Sequence, residues 1–249
     1  GEGEITLVEV VEAVRNNKPV KGIKGTIFKD ESGEIHKGPP QKLVDVNYIK
    51  PDFSLFDQKR FYRPMGGRIF KTIPIETYRG CPYQCTFCNS PMHNTHAKKD
   101  EIASNFLRRK TISNVRSEII DLIKLYNPAF LYVVDDSFLA RPKKEIFDFC
   151  DMYEEFKIPF WFNTRPENCK PDFLKRLKEI GSYRISFGIE CGNESFRNKV
   201  LLRKPTNKEI IESFNIIAES GIPFSINLII GFPGETRDLV METIELVKK

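Results

Sequence analysis

The 249 residues contain no apolar run approaching the ~18 that a membrane-spanning helix needs. They hold no low-complexity tract and no repeat beyond an alternation of strand-like and helix-like segments. Membrane-spanning, disordered, collagen-like and coiled-coil classes are thereby excluded. An initiator Met, a charged leader and an apolar signal core are also lacking. The chain opens on Gly1-Glu-Gly-Glu4 and closes inside a helical pattern, Thr236 to Lys249, with no stop signal, so it reads as an internal piece of a longer protein. Charge of one sign is missing too. The 39 basic residues face 34 acidic ones, and a net charge of +5 is too mild and too scattered to demand nucleic acid as a partner. What is present is ordinary globular composition, 40% hydrophobic and 29% charged, in a chain long enough to bury a core without disulfide staples.

Of the six cysteines, Cys81, Cys85 and Cys88 fall within eight residues. Clustered cysteines without a secretion signal point to metal or redox work in the cytoplasm rather than to disulfides. Cys150, Cys169 and Cys191 stand alone and read as small buried hydrophobes.

Residues 4–15 carry a helical apolar stripe, and 22–28 with 34–36 read as a hairpin around Asp30-Glu-Ser-Gly33. Residues 38–68 hold four prolines and little periodicity, and read as an irregular connector. From about residue 70 strands and helices alternate. Strands are expected at 72–77, 130–134, 159–163, 183–188 and 223–230. Helices are expected at 114–126, 143–156, 171–180 and 207–220. The last of these opens with a capping box, Thr206 and Glu209, and stops at Gly221. Such alternation means βαβ units and a parallel sheet, with chemistry at the C-terminal strand ends. Every unusual local motif of this chain falls at such an end.

The first is Gly80-Cys-Pro-Tyr-Gln-Cys-Thr-Phe-Cys88. Three thiolates on one loop can hold three corners of a metal cluster and leave a fourth open. Structural zinc wants four closed protein ligands, which His93 or His96 could complete. A ferredoxin-type cluster needs a fourth Cys, and none lies nearby.

This stretch resembles the signature of the radical S-adenosylmethionine (SAM) superfamily, with Phe87 before the third Cys. Gly1–Glu4, Pro51-Asp-Phe53 and Thr77-Tyr-Arg-Gly-Cys-Pro82 further resemble the subgroup that carries an upstream cobalamin-binding domain. The resemblance covers essentially the whole chain. It implies an α/β fold, a partial (βα)6 barrel with about five strands present. Residues 1–70 would be the connector from the upstream domain, and 71–249 a barrel cut before its last strand. It implies that Cys81, Cys85 and Cys88 bind a [4Fe–4S] cluster whose fourth iron chelates SAM. Reductive cleavage would give a 5′-deoxyadenosyl radical for hydrogen abstraction, in cobalamin-dependent methylation or ring formation. Cobalamin itself would be bound outside this chain, and the electron would come from a flavodoxin or ferredoxin. The substrate would be a small molecule or a peptide.

The other strand ends are read with the same resemblance. In Val133-Val-Asp-Asp-Ser-Phe138, Asp135 or Asp136 would take the SAM amino group, where other members carry Gly-Gly-Glu; a helix N-cap is the plainer reading. Arg165 would face SAM or substrate, as a guanidinium suits a carboxylate. Glu190 would contact the ribose or methionyl part of SAM. Gly231, Pro233 and Gly234 would line the adenine pocket with Phe87. Arg203 and Lys204 would touch substrate or nothing. Two alternatives stay open: a cobalamin-independent methylthiotransferase, whose second three-Cys site is not seen between Gly1 and Thr77, and a zinc-stabilised binding module.

Overall fold

The computed structural model describes residues 2–99 and 105–249. Helix α1 (Glu4–Arg15) leads to a hairpin of β1 (Ile27–Lys29) and β2 (Ile35–Lys37). Asp30 shapes the hairpin turn by accepting from the Ser32 and Glu34 N–H groups at 2.9 and 3.0 Å. The connector is less irregular than its sequence suggests. Short 3-10 turns at Val46–Tyr48 and Gln58–Phe61, each capped by an aspartate, feed β3 (Tyr62–Met65). This strand pairs antiparallel with β4 (Arg68–Ile75) across Gly66 and Gly67, both at positive φ, as a two-residue hairpin turn of the favoured twist requires. Pro64 hides the strand in the sequence, yet an edge strand tolerates it.

Next come β5 (Tyr78–Arg79), α2 (Ser90–Lys99) and β6 (Arg108–Arg109), β5 and β6 pairing with each other. The expected alternation follows: α3 (Ile112–Tyr126), β7 (Phe130–Val133), α4 (Lys143–Tyr153), β8 (Phe160–Thr164), α5 (Pro171–Glu179), β9 (Ser182–Glu190), α6 (Glu194–Lys199), α7 (Asn207–Ser220), β10 (Phe224–Leu228) and α8 (Arg237–Val247). The Thr206–Glu209 capping box and the left-handed Gly221 bound α7 as its sequence requires. Strand order is β10-β9-β8-β7-β4-β3, parallel from β4 to β10 with β3 as an antiparallel edge. The result is a curled half-barrel of the TIM type.

Alternation along the strands divides the sheet into two faces. Ile73, Ile75, Leu131, Val133, Phe160, Phe162, Ile185 and Phe187 pack against the helices in one continuous core with Ile119, Leu122, Ile146, Phe149, Leu174, Leu177 and Ile217. Each such side chain contributes about 1.5–3 kcal/mol by leaving water. Residues of the other parity line the lumen. At the N-terminal end of the strands, Phe70, Phe130 and Tyr183 meet with ring centroids 5.2–5.6 Å apart and plug it. The open end is the C-terminal one. No helix among the described residues is long and apolar enough to cross a membrane.

Candidate functional site

The three-cysteine loop leaves β5 at the mouth of the half-barrel. Gly80 turns the chain into it at φ +100°, and a Cβ there would stand 2.9 Å from the Phe106 carbonyl oxygen, so only glycine fits. The far side of the loop is pinned to the segment after α6. The Thr86 hydroxyl donates to the Val200 carbonyl at 2.7 Å and the Thr86 N–H to the Leu201 carbonyl at 3.3 Å. Cys85 is buried, Cys81 half-buried and Cys88 exposed. Burial pushes the Cys81 thiol up to about 11, with the Asp136 charge adding to it, and also raises Cys85, which Arg165 and Arg203 oppose.

Zn–S bonds of about 2.3 Å put tetrahedral ligand sulfurs roughly 3.8 Å apart. Among the described residues, neither the three Sγ atoms nor these with His93 or His96 form a set lying within 4.8 Å of one another. Cys150, Cys169 and Cys191 are buried and free, as small hydrophobes are.

The two aspartates after β7 part company. Asp135 shares the parity of Leu131 and Val133 and turns away from the lumen. Its Oδ1 accepts from the Thr77 and Tyr78 N–H groups at 2.7 and 3.0 Å, its Oδ2 from the Thr77 hydroxyl at 2.5 Å, and Arg141 pairs with it. It is a buried tie between β7 and the root of the cluster loop. Asp136 keeps an open edge at the mouth. The protein packed around it raises its carboxyl, as do the charges of Asp135 and Glu76, against the Gly80 N–H. Thr77, Tyr78 and Arg141, partners of the tie, had no signal in the sequence as such.

Arg165 lies over the Tyr83 ring, 3.7 Å from its centroid, and beside Glu167 at 2.7 Å. That pair runs through its Nε, and the side chain is buried. Tyr83 is itself held by donating to Asn168 Oδ1 at 2.7 Å.

Glu190 ends β9 in the left-handed region at φ +64°, where a β-bulge breaks the register with β10. A non-glycine residue held there costs of order 1–3 kcal/mol and marks a candidate site. Its Oε1 meets Arg203 at 3.2 Å, and Arg203 also donates to the Gly188 carbonyl at 2.5 Å. Burial raises the Glu190 carboxyl, opposed by Arg203 and Arg165. The Glu190 carboxylate folds over Gly188, so that a Cβ at 188 would fall 1.8 Å from Oε1. Arg203, weighed in the sequence as touching substrate or nothing, is thus buried and holds Glu190.

Gly231 and Gly234 sit at positive φ in the loop after β10, with open space where a side chain would be. Glu235 shapes this loop by accepting from the Gly231 and Phe232 N–H groups at 2.6 and 3.3 Å. Pro233 is exposed. Phe87, from the cysteine loop, meets Phe232 with centroids 5.7 Å apart, so the first and last strand ends of the half-barrel touch.

Comparison with known proteins agrees with this fold. The profile of the radical SAM superfamily matches residues 75–247. The chain is 28% identical over 255 residues to "Uncharacterized methyltransferase PH0819" of Pyrococcus horikoshii, covering 100% of this chain and 52% of that protein. It is 27% identical over 262 residues to the anaerobic magnesium-protoporphyrin IX monomethyl ester cyclase of Cereibacter sphaeroides, covering 99% of this chain and 39% of that one. The solved structure of the cobalamin-dependent SAM radical enzyme OxsB, with aqua-cobalamin and SAM bound, superposes with a TM-score of 0.74 at 18% identity, over 100% of this chain and 35% of that one. The chain therefore spans about half or less of the length of these relatives.

Proposed function

This chain belongs to the radical SAM superfamily, a family of enzymes that use a [4Fe–4S] cluster and SAM, and from that premise we propose that Cys81, Cys85 and Cys88 hold three irons of the cluster and leave the fourth to SAM. One observation carries the reading. Three free thiols on one loop share one mouth with an exposed carboxylate, Asp136, and with the buried guanidinium of Arg165. Together the cluster and SAM supply a 5′-deoxyadenosyl radical for hydrogen abstraction. The residues around them bind and orient. Asp136 takes the SAM amino group, since Asp135 is spent on Thr77, Tyr78 and Arg141. Arg165 takes the carboxylate, to which a guanidinium fork is matched. Glu190, steadied by Arg203, offers its second oxygen to a ribose hydroxyl. Gly231, Pro233 and Gly234 allow close approach of the adenine, with Phe87 against its face.

The finer reading is cobalamin-dependent methylation or ring formation, with residues 1–70 as the connector and 71–249 as the barrel. The connector motifs support it, and so do the methyltransferase and cyclase names of the two relatives. No residue of this chain is assigned to cobalamin. A flavodoxin or ferredoxin would deliver the electron.

Anaerobic reconstitution with iron and sulfide, reduction, and electron paramagnetic resonance with and without SAM test the proposal. A reduced [4Fe–4S] signal that changes on adding SAM is expected, and Cys85→Ala should abolish iron retention. Full iron content in that variant, or one tight zinc in the parent chain, would refute the assignment.

A further inference from the structure

The lumen below the mouth is a built surface that the cysteine loop and the strand ends do not account for. Tyr132 on β7 and Trp161 on β8 stand side by side on the lumen face, rings stacked with centroids 4.2 Å apart and 18° between planes. Both are fixed from outside the pair. Trp161 Nε1 donates to Ser186 Oγ at 2.9 Å, and Asn163 Nδ2 donates to the Tyr132 hydroxyl oxygen at 2.5 Å. Tyr132, Trp161 and Asn163 are only half-buried. Asn163 precedes Arg165 by two residues, so at about 3.3 Å per residue this layer lies roughly 7 Å below the proposed SAM-binding residues. The Phe70–Phe130–Tyr183 plug closes the lumen beneath it.

The layer offers no free anion. Glu76 spends both carboxylate oxygens on Arg79 at 2.7 and 2.8 Å. Arg184, opposite Trp161 on β9, donates to the Phe224 carbonyl and Ser225 near the Gly66 turn and has no carboxylate partner among the described residues. Among the described residues, what the layer offers a ligand is π surface, the Tyr132 hydroxyl proton and Asn163 Oδ1. A cation placed there would lose its hydration without gaining a counter-ion, whereas the hydroxyl and the amide oxygen complement a donor-bearing edge.

Resting on the radical SAM reading, we propose that Tyr132, Trp161 and Asn163 form a substrate floor that takes a flat, conjugated ring bearing an amide-type edge and no positive charge. The stack meets the ring by its faces and edges, and the Tyr132 hydroxyl and Asn163 read its polar rim. Because the partners of Tyr132 and Trp161 lie within the protein, the floor is already in place before a ligand arrives.

Trp161 is the only tryptophan of the chain, so its emission reports this layer alone, and the readout needs neither cluster nor SAM. Three probes of similar size separate the features: nicotinamide, its cationic relative 1-methylnicotinamide, and cyclohexanecarboxamide, which keeps the amide and lacks the aromatic ring. Nicotinamide should change the emission saturably. 1-Methylnicotinamide and cyclohexanecarboxamide should each bind about tenfold or more weakly. Asn163→Leu should weaken nicotinamide about tenfold. Tyr132→Phe, which keeps the stacked ring and removes only the hydroxyl, should weaken it several-fold and serves should the first variant fold poorly. Linear collisional quenching without saturation would overturn the proposal, as would 1-methylnicotinamide binding as tightly as nicotinamide.

Discussion

Replacing the two neighbouring aspartates after β7 should have opposite consequences. Asp135 is fully buried and faces Arg141, whose side chain is 6% exposed. Asp135→Ala removes the acceptor of the Thr77 and Tyr78 N–H groups and of the Thr77 hydroxyl, and leaves a buried guanidinium without its anion. Breaking a buried ion pair from one side costs about 3–5 kcal/mol. Arg141 retains its bond to the Phe138 carbonyl at 2.6 Å and lies over the Tyr78 and Phe138 rings, which places the loss near the lower end. Against a total stability of about 5–15 kcal/mol this is large. At about 2–4 °C per kcal/mol for a domain of this size, the melting temperature should fall by roughly 10 °C. Asp136→Asn, at an edge open to the mouth, should change stability by less than about 0.5 kcal/mol. It should weaken SAM binding by about tenfold or more. Urea unfolding followed by circular dichroism, with calorimetric SAM titration of the reconstituted protein, reads both. An Asp135→Ala protein within about 1 kcal/mol of the parent, or an Asp136→Asn protein with unaltered SAM affinity, would refute the division of roles.

Two further outcomes follow from local geometry. Gly188→Ala places a Cβ 1.8 Å from Glu190 Oε1; the carboxylate must swing away from Arg203, and SAM affinity should drop about tenfold with the iron content unchanged, so an intact affinity would remove Glu190 from the SAM site. Glu2 accepts from the Val44 N–H at 3.0 Å and pairs with Arg108, and although burial works against it, these partners hold its carboxyl below the ordinary 4.5. Its stabilising contribution is therefore complete above that value and lost as the pH falls towards the lowered one. The difference in melting temperature between the parent and Glu2→Gln should be constant near neutral pH and close in acid; a difference that widened in acid would contradict the sign.

The alternation of strands and helices was legible because each helix buries a 3.6-residue stripe and each strand a two-residue one, and the caps at Thr206 and Gly221 are local chemistry. Strand β3 was not, since Pro64 breaks its pattern and its pairing is set by a Gly66-Gly67 turn acting through the partner strand. The three cysteines announced themselves by spacing, but the ties that hold their loop span 57 to 114 residues of sequence, from Tyr78 to Asp135 and from Thr86 to Val200, and such contacts carry no local signature. Asp135 and Asp136 show where the boundary lies. Strand parity already assigns them to opposite faces: Leu131 and Val133 run with Asp135, Tyr132 and Val134 with Asp136. Parity alone cannot say which face is the lumen, because β7 is apolar on both sides, as a strand enclosed by helices and by its own barrel must be. The helices α3 and α4 settle it by covering Leu131 and Val133, which leaves Asp136 on the uncovered side. The same reasoning makes Tyr132, Trp161 and Asn163 candidates for substrate contact: they are the uncovered-parity residues on the strands that carry Asp136 and Arg165 at their ends.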